Sequence, residues 1–348
     1  MSPVSEPAHL RWGAEALWQQ LLPLLPGLTV EVVGRTDSTN TRLIERARAA
    51  AGDPDAPVTR PGRIEAVGRE RAAPYGRRAG DVEPCLLVAE QQTRGRGRLG
   101  RDWTSNPIDS LTFSLALEFE PVEWSGLSLA VGLALAEALD DAAPPAAPRI
   151  GLKWPNDLWL FDGARAGRKL GGILIETLSV GGRRMGVIGV GLNVRPVAVD
   201  GVATASLQEL LPGIDAPAAL ARVALPLVRA LRRFEHEGFA PLVAAYARRD
   251  LLRGQAIDTN GEAGHGVADG VDAEGALRLR DSNARLHRIT SGEVSVRLHG
   301  AGVQVPAGAV PAGEGPAGEV PAGEGPAGEA PAGEAPPAPL PAPRPGAA

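Results

Sequence analysis

An α+β fold is the class that this sequence predicts: a mixed β-sheet covered by helices, followed by a small C-terminal β-domain. Three observations carry it. Short β-rich runs bounded by Gly, Pro or Asn interleave with segments of helical length and spacing as far as Asp250. Connections such as that between Phe161 and Gly171 are too tight for a crossover helix, so some strands pair antiparallel, against a doubly wound parallel sheet. After Leu251 the texture changes to short alternating runs with turn signals at about every ten residues, as in a small barrel or sandwich.

Taken in order, residues 1–28 read as an N-terminal helical segment and 29–252 as the main domain. "STNTRLIERARAA" offers Ser38 and Thr39 as N-caps ahead of a helix-forming series. Residues 53–84, rich in Pro, Gly and Arg, read as a long irregular insertion between a helix and a strand. "CLLVAEQ", "SLTFSLALEF", "RIGLKWPNDLWLF", "KLGGILIETLSV" and "RMGVIGVGLNV" read as strands. "GLSLAVGLALAEALDDA" and "LARVALPLVRALRRFEHEGFAPLVAAYARRD" read as helical. A boundary near Arg253 opens the β-domain over 253–300. Over 301–348, "PAGE" recurs at Pro311, Pro316, Pro321, Pro326 and Pro331; a segment with so few bulky apolar side chains is expected to be a disordered, solvated tail.

Composition narrows the function classes. The 348 residues are 44% hydrophobic but only 4% aromatic, so the core is built from Leu, Val, Ile and Ala. A net charge of −5 gives no global attraction to nucleic acid or anionic membrane, so any basic site is local. Cys85, the single cysteine, allows no disulfide framework and reads as a small buried hydrophobe. Neither a membrane span nor a signal peptide is evident, and a cytoplasmic location is expected.

"QQTRGRGRLGRDWTS" (Gln91 to Ser105) is that local site. Gly95, Gly97 and Gly100 match G-x-G-x-x-G, but a dinucleotide turn needs a helix opening from the glycines, and Pro107 and turn formers stand there instead. A nucleic-acid loop could use the arginines and stack Trp103 on a base, yet no helix-turn-helix precedes it. The third reading is a glycine-bearing lid closing over a phosphorylated ligand, with arginines forking to phosphate oxygens. A surface hairpin with solvated arginines stays open on these residues alone.

"DSTN" (Asp37 to Asn40), "QQTRGRGRLGRDW", "KWPNDLW", "KLGGILIE" and "GVGLNV", in this order, closely resemble the biotin–protein ligases, over roughly Asp37 to Gly300. The resemblance implies a class II synthetase-like catalytic domain and a C-terminal SH3-like barrel. It also implies an enzyme that uses ATP and Mg²⁺ to make biotinyl-AMP, release pyrophosphate and biotinylate a lysine of a biotin carboxyl carrier domain. By similarity, Ser38, Thr39, Asn40, Gln92, Arg96, Gly97, Arg98 and Lys169 bind biotin; short polar side chains suit a ureido ring with two N–H donors and one acceptor. Arg96, Arg98, Trp103, Asn156, Lys169 and Asn193 are the corresponding nucleotide-side residues. Arg96, Arg98 and Lys169 stabilise charge as carboxylate meets phosphate, and Asp157 polarises the acceptor lysine.

The segment between Asp157 and Lys169 is longer than is usual in the family, through an added "GARAG", and Arg94 adds a charge before the loop. No DNA-binding helix-turn-helix matches, so operator binding is not expected, whereas a homodimer is compatible with the resemblance. Two other functions stay open on the sequence: a lipoate or octanoate ligase or transferase of the same general fold, and a non-catalytic biotin-binding regulator.

Overall fold

Strand residues alternate between the two faces of a sheet, and in this chain the two faces are covered differently. The structure, a computed structural model, describes residues 10–50, 84–140, 142, 146–161, 167–180, 182–260, 264–290 and 296–298. The expected insertion over 53–84 (apart from Pro84), the tail over 301–348 and most of the "GARAG" segment lie outside the described residues.

The first half of the main domain runs α1 (Ala14–Leu21), β1 (Thr29–Thr36), α2 (Thr39–Ala50), β2 (Cys85–Gln92), β3 (Gly95–Arg96), β4 (Asp102–Trp103), β5 (Ser110–Glu118) and α3 (Leu127–Leu139). The second half runs β6 (Ile150–Lys153), β7 (Asp157–Leu160), β8 (Arg168–Val180), β9 (Arg183–Asn193), α4 (Ala216–Glu237) and α5 (Val243–Ala247). Seven strands form one sheet in the order β1-β2-β5-β9-β8-β7-β6. Within it β1 and β2 pair parallel; β5, β9, β8, β7 and β6 follow antiparallel, in keeping with the tight connection after Phe161.

One face of this sheet presents Val88, Phe113, Leu115, Ile188, Val190 and Ile173 to a large core with α1, α3 and α4. Helix α3 is buried nearly all round, which explains why its sequence is apolar without an amphipathic stripe. The other face presents Cys85, Leu87, Ala116 and Val187 to Leu43 and Ala47 of α2. Cys85 is buried there, as expected of a small hydrophobe.

Three elements differ from the sequence reading. The segment "TVEVVGRT" is strand β1, at the edge of the sheet and only partly buried, so its apolar alternation is weak. The helical run from Leu220 to Asp250 is interrupted: Gly238, at φ 66°, ends α4, and α5 begins after a turn containing Pro241. The start of α4 lies earlier, at Ala216, where Asp215 Oδ1 accepts from Ala218 N at 2.8 Å.

The C-terminal domain has β10 (Ala256–Thr259), β11 (His265–Val271), β12 (Leu277–Arg280), β13 (Leu286–Ile289) and β14 (Val296–Leu298). They form a five-stranded antiparallel sheet, β13-β12-β11-β10-β14, and among the described residues β13 and β14 are its edges, without the closure of a barrel. Its β11–β12 turn is fitted to the main domain. Gly275 has φ +79°, and a Cβ there would stand 2.6 Å from Gly126 Cα. Trp154, buried at the end of β6, donates its Nε1–H to Gly275 O at 3.1 Å.

Candidate functional site

Beyond the N-terminus of α2, the α2-bearing face of the sheet continues as a floor of mainly small residues. Across the strands the register sets Ser114 of β5 beside Gly189 of β9 and Leu174 of β8, and Thr112 beside Gly191 and Gly172. Other side chains lie on this floor. A Cβ on Gly189 would stand 2.3 Å from Asn40 Oδ1, and one on Gly191 2.4 Å from the Trp103 ring. The glycines of "GVGLNV" are therefore seats for polar and aromatic groups, brought close by bare backbone.

Ser38, Thr39 and Asn40 open α2 and are buried. Ser38 Oγ accepts from Thr41 N at 3.4 Å, a cap on the first turn. The Thr39 N–H donates to Gln92 Oε1 at 2.7 Å, and the Thr39 hydroxyl lies 3.1 Å from the same oxygen. Ser114 Oγ is 2.6 Å from both Thr39 Oγ1 and Asn40 Oδ1. Asn40 Nδ2 donates to Leu174 O at 3.1 Å and to Glu176 Oε2 at 2.8 Å. Glu176 also accepts from Arg96 Nη2 on both oxygens, at 2.9 and 2.7 Å.

The G-x-G-x-x-G segment is a hairpin. Strands β3 and β4 pair Gly95 with Trp103 and Arg96 with Asp102, and Gly97 N donates to Arg101 O at 2.7 Å. The tip is a single 3₁₀ turn, Arg98–Gly100, with Leu99 at φ 57° and Gly100 at φ 70°. No helix opens from it, so the dinucleotide reading is excluded by geometry as well as by sequence. Ser105 fastens the return by accepting from Gln92 N at 2.8 Å. Trp103 Nε1 is buried with no hydrogen-bond partner among the described residues.

A second group lies over Gly172, where a Cβ would be 3.4 Å from Asp157 Oδ1 and 3.7 Å from Lys169 Nζ. Lys169 Nζ and Asp157 Oδ1 form an ion pair at 2.8 Å, both half-buried. Burial pulls the Arg98 guanidinium below the usual arginine range; the Asp157 carboxylate acts in the opposite sense and Arg101 adds repulsion. Lys169 is fixed through its backbone: its N–H donates to Ala203 O and its carbonyl accepts from Ala205 N, both at 2.8 Å. Asn193 Nδ2 bridges Lys169 O at 3.3 Å and Ala205 O at 3.1 Å. Asn156 joins the turn after β6 to β8, giving Nδ2 to Ile173 O at 2.8 Å and accepting from Ile173 N at 3.0 Å.

The residues singled out in the sequence thus fall into two neighbouring groups. Ser38, Thr39, Asn40, Gln92 and Arg96 form one; Arg98, Asp157 and Lys169 form the other, with Asn156 and Asn193 behind them. Gly97 and Trp103 belong to the hairpin that links them. The sequence reading passed over Ser114, Ser105 and Glu176. The first had a signal: Ser110, Thr112 and Ser114 alternate within an otherwise apolar strand, marking one face as polar. Likewise Glu176 closes "KLGGILIE" two residues beyond Leu174 on the face of Gly172.

The model of the Biotin/lipoate A/B protein ligase family matches residues 82–193, and that of the Biotin protein ligase C terminal domain matches 255–297. The biotin–[acetyl-CoA-carboxylase] ligase of Mycobacterium tuberculosis is 35% identical over 295 residues, 81% of this chain and 91% of that protein. The bifunctional ligase/repressor BirA of Escherichia coli is 31% identical over 80% of this chain and 77% of its own length. The solved biotin protein ligase from Aquifex aeolicus, in complex with biotin and ATP, is similar with a TM-score of 0.55 at 26% identity, over 77% of this chain and 98% of that one. No described helix is long and apolar enough to cross a membrane. Sequence identity over nearly the whole of a relative, with both family models matched along this chain, decides the matter: this chain belongs to the biotin protein ligase family.

Proposed function

We propose that the two groups of residues are the two halves of one ligase site: a biotin pocket around Ser38–Asn40 and Gln92, and a phosphate-facing edge formed by Arg98 and Lys169, to which Arg96 is added from the pocket side. The protein is an ATP-dependent biotin–protein ligase. It joins the biotin carboxylate to the α-phosphate of ATP, releases pyrophosphate, and passes biotin from biotinyl-AMP to a lysine of a biotin carboxyl carrier domain. The observation that carries this reading is the pairing of Lys169 with Asp157 over Gly172, with Arg98 in the field of the same carboxylate, on the sheet face where Gly189 and Gly191 seat Asn40 and Trp103. Carboxylate attack on a phosphate brings anion to anion, and fixed, partly buried cations offset that repulsion far better than water does.

Each chemical task has a residue. Thr39, held by Gln92 and Ser114, and its neighbour Ser38 face the ureido ring. Lys169 neutralises charge on the reacting phosphate and carboxylate. Asp157, paired with Lys169, is the base-side partner of the acceptor lysine once the adenylate draws Lys169 away. The hairpin of Arg96 to Trp103 covers the mixed anhydride against water, and Trp103 brings an unpaired N–H to the ligand. Asn193 and Asn156 hold the backbone on which Lys169 and Asp157 stand. Mg²⁺ fits as an ion carried in on the phosphates. Among the described residues no group of three or more His, Cys, Asp or Glu is arranged to hold it, and Mg²⁺ commonly takes one or two carboxylates plus phosphate oxygens. The C-terminal sheet over 253–300 is assigned as an SH3-like barrel.

The test is incubation with ATP, Mg²⁺, a biotin carboxyl carrier domain and either biotin or lipoate, followed by mass analysis of the carrier. Biotin should be attached to one lysine. Attachment of lipoate alone would replace this reading with that of a lipoate ligase.

A further inference from the structure

One carboxylate stands between the two halves of the site and is assigned no role by the motifs that define it. Glu176 lies on β8 on the face of Leu174 and Gly172, with side-chain exposure of 26%. Its Oε2 accepts from Asn40 Nδ2 at 2.8 Å, from the pocket side. The same carboxylate accepts from Arg96 Nη2 at 2.7 and 2.9 Å, from the hairpin side. Both hairpin bonds use Nη2, so Nε and Nη1 of Arg96 are not committed to Glu176 and are left to meet an anion.

Asn40 is equally constrained. Its Nδ2 hydrogens go to Glu176 and Leu174 O, its Oδ1 lies 2.6 Å from Ser114 Oγ, and bare backbone at Gly189 lies against it. A charged acceptor strengthens such bonds relative to a neutral one. We propose that Glu176 is the positioning residue that couples biotin recognition to closure of the arginine hairpin. It fixes the Asn40 amide and, through the same two oxygens, sets the Arg96 guanidinium at the edge where the adenylate phosphate forms. Glu176 acts through Asn40 and Arg96, the two side chains from which its oxygens accept. This inference rests on the ligase reading above.

Two substitutions separate its two arms. Glu176→Gln keeps an acceptor for Asn40 but loses the charge that holds Arg96. Glu176→Ala loses both. The experiment measures three quantities in the full chain: thermal unfolding, KM for biotin in pyrophosphate release, and the rate at which preformed biotinyl-AMP leaves the enzyme. For Glu176→Gln the expected result is an unchanged melting temperature, a biotin KM raised by no more than about twofold, and adenylate loss accelerated about tenfold, the size of one charge-assisted hydrogen bond. Glu176→Ala should in addition raise the biotin KM. Adding Arg96→Ala to Glu176→Gln should accelerate adenylate loss little further, since both act on one contact. Parental adenylate retention in Glu176→Gln, or fully additive effects with Arg96→Ala, would overturn the proposal. If the unsubstituted chain itself releases no pyrophosphate with biotin, it is the ligase reading that fails.

Discussion

Gly189 and Gly191 show how single residues shape this site. Neither contributes a functional group, yet each lets a side chain lie where a Cβ would collide: Asn40 Oδ1 at 2.3 Å and the Trp103 ring at 2.4 Å. Gly191→Ala must therefore push the Trp103 ring off the sheet. We expect about 1–3 kcal/mol of lost stability from overpacking, read by denaturant unfolding, together with a raised KM for biotin. An alanine variant with parental stability and KM would mean that Trp103 does not rest on this glycine. The charged members of the proposed site, Arg96, Arg98, Asp157 and Lys169, could be singled out in the sequence because each sits in a short motif of unusual composition. Ser114 and Glu176 were not, because their meaning lies in partners far along the chain. Glu176 meets Asn40 across 136 positions, and one sequence carries local periodicity but no register between distant strands.

At the level of elements, the β11–β12 turn matters most outside the main sheet. Asp272 shapes it by accepting at Oδ1 from Glu274 N at 3.0 Å and Ala276 N at 2.8 Å. The turn then delivers Gly275 O to Trp154, which precedes the Pro155–Asn156–Asp157 turn of the site. Gly275→Ala introduces a side chain at φ +79° and 2.6 Å from Gly126 Cα. It should cost about 1–3 kcal/mol through backbone strain and lower the rate of biotin transfer, because Asp157 loses its support from the C-terminal domain. Thermal unfolding and carrier labelling measure the two effects; full activity in this variant would show that the turn is only packing. Short, β-rich runs bounded by Gly, Pro or Asn, such as β2, β5, β8 and β9, could be read directly. The edge strand β1, with one side only partly covered, could not, and neither could the break at Gly238, which interrupts an otherwise continuous apolar period.

Across the whole molecule, a buried ion pair ties α3 to the end of the main domain. Asp140 Oδ2 and Arg249 Nη1 are 2.8 Å apart with both side chains only 6% exposed. Arg249 also donates to Ile150 O at 2.9 Å and to Asp140 O at 2.7 Å. Burial alone would raise the Asp140 pKa, but the Ile150 N–H, the Arg249 guanidinium and the Arg149 N–H together hold it below the usual carboxylate range. Its native pKa is thus lower than the unfolded value of about 3.9. The stability it contributes is complete above that value and is lost as pH falls through the native one. Asp140→Asn, which strands Arg249, should cost about 3–5 kcal/mol at neutral pH and remove this part of the acid sensitivity. Denaturant unfolding from neutral to acidic pH measures both, and an unchanged profile would contradict the assignment. The α+β class was legible because connection length and alternation are sequence properties. Closure of the C-terminal sheet was not, since a run of short alternating strands suits a barrel and an open sheet equally.

Biotin-dependent exchange of pyrophosphate into ATP tests the central claim most directly, because it isolates adenylate formation from the carrier. The chain should catalyse exchange with biotin and Mg²⁺, and Lys169→Ala should reduce it by roughly 100-fold or more, the scale of a lost electrostatic contact to a transition state. No exchange with biotin, or exchange indifferent to Lys169→Ala, would contradict the assignment of this site.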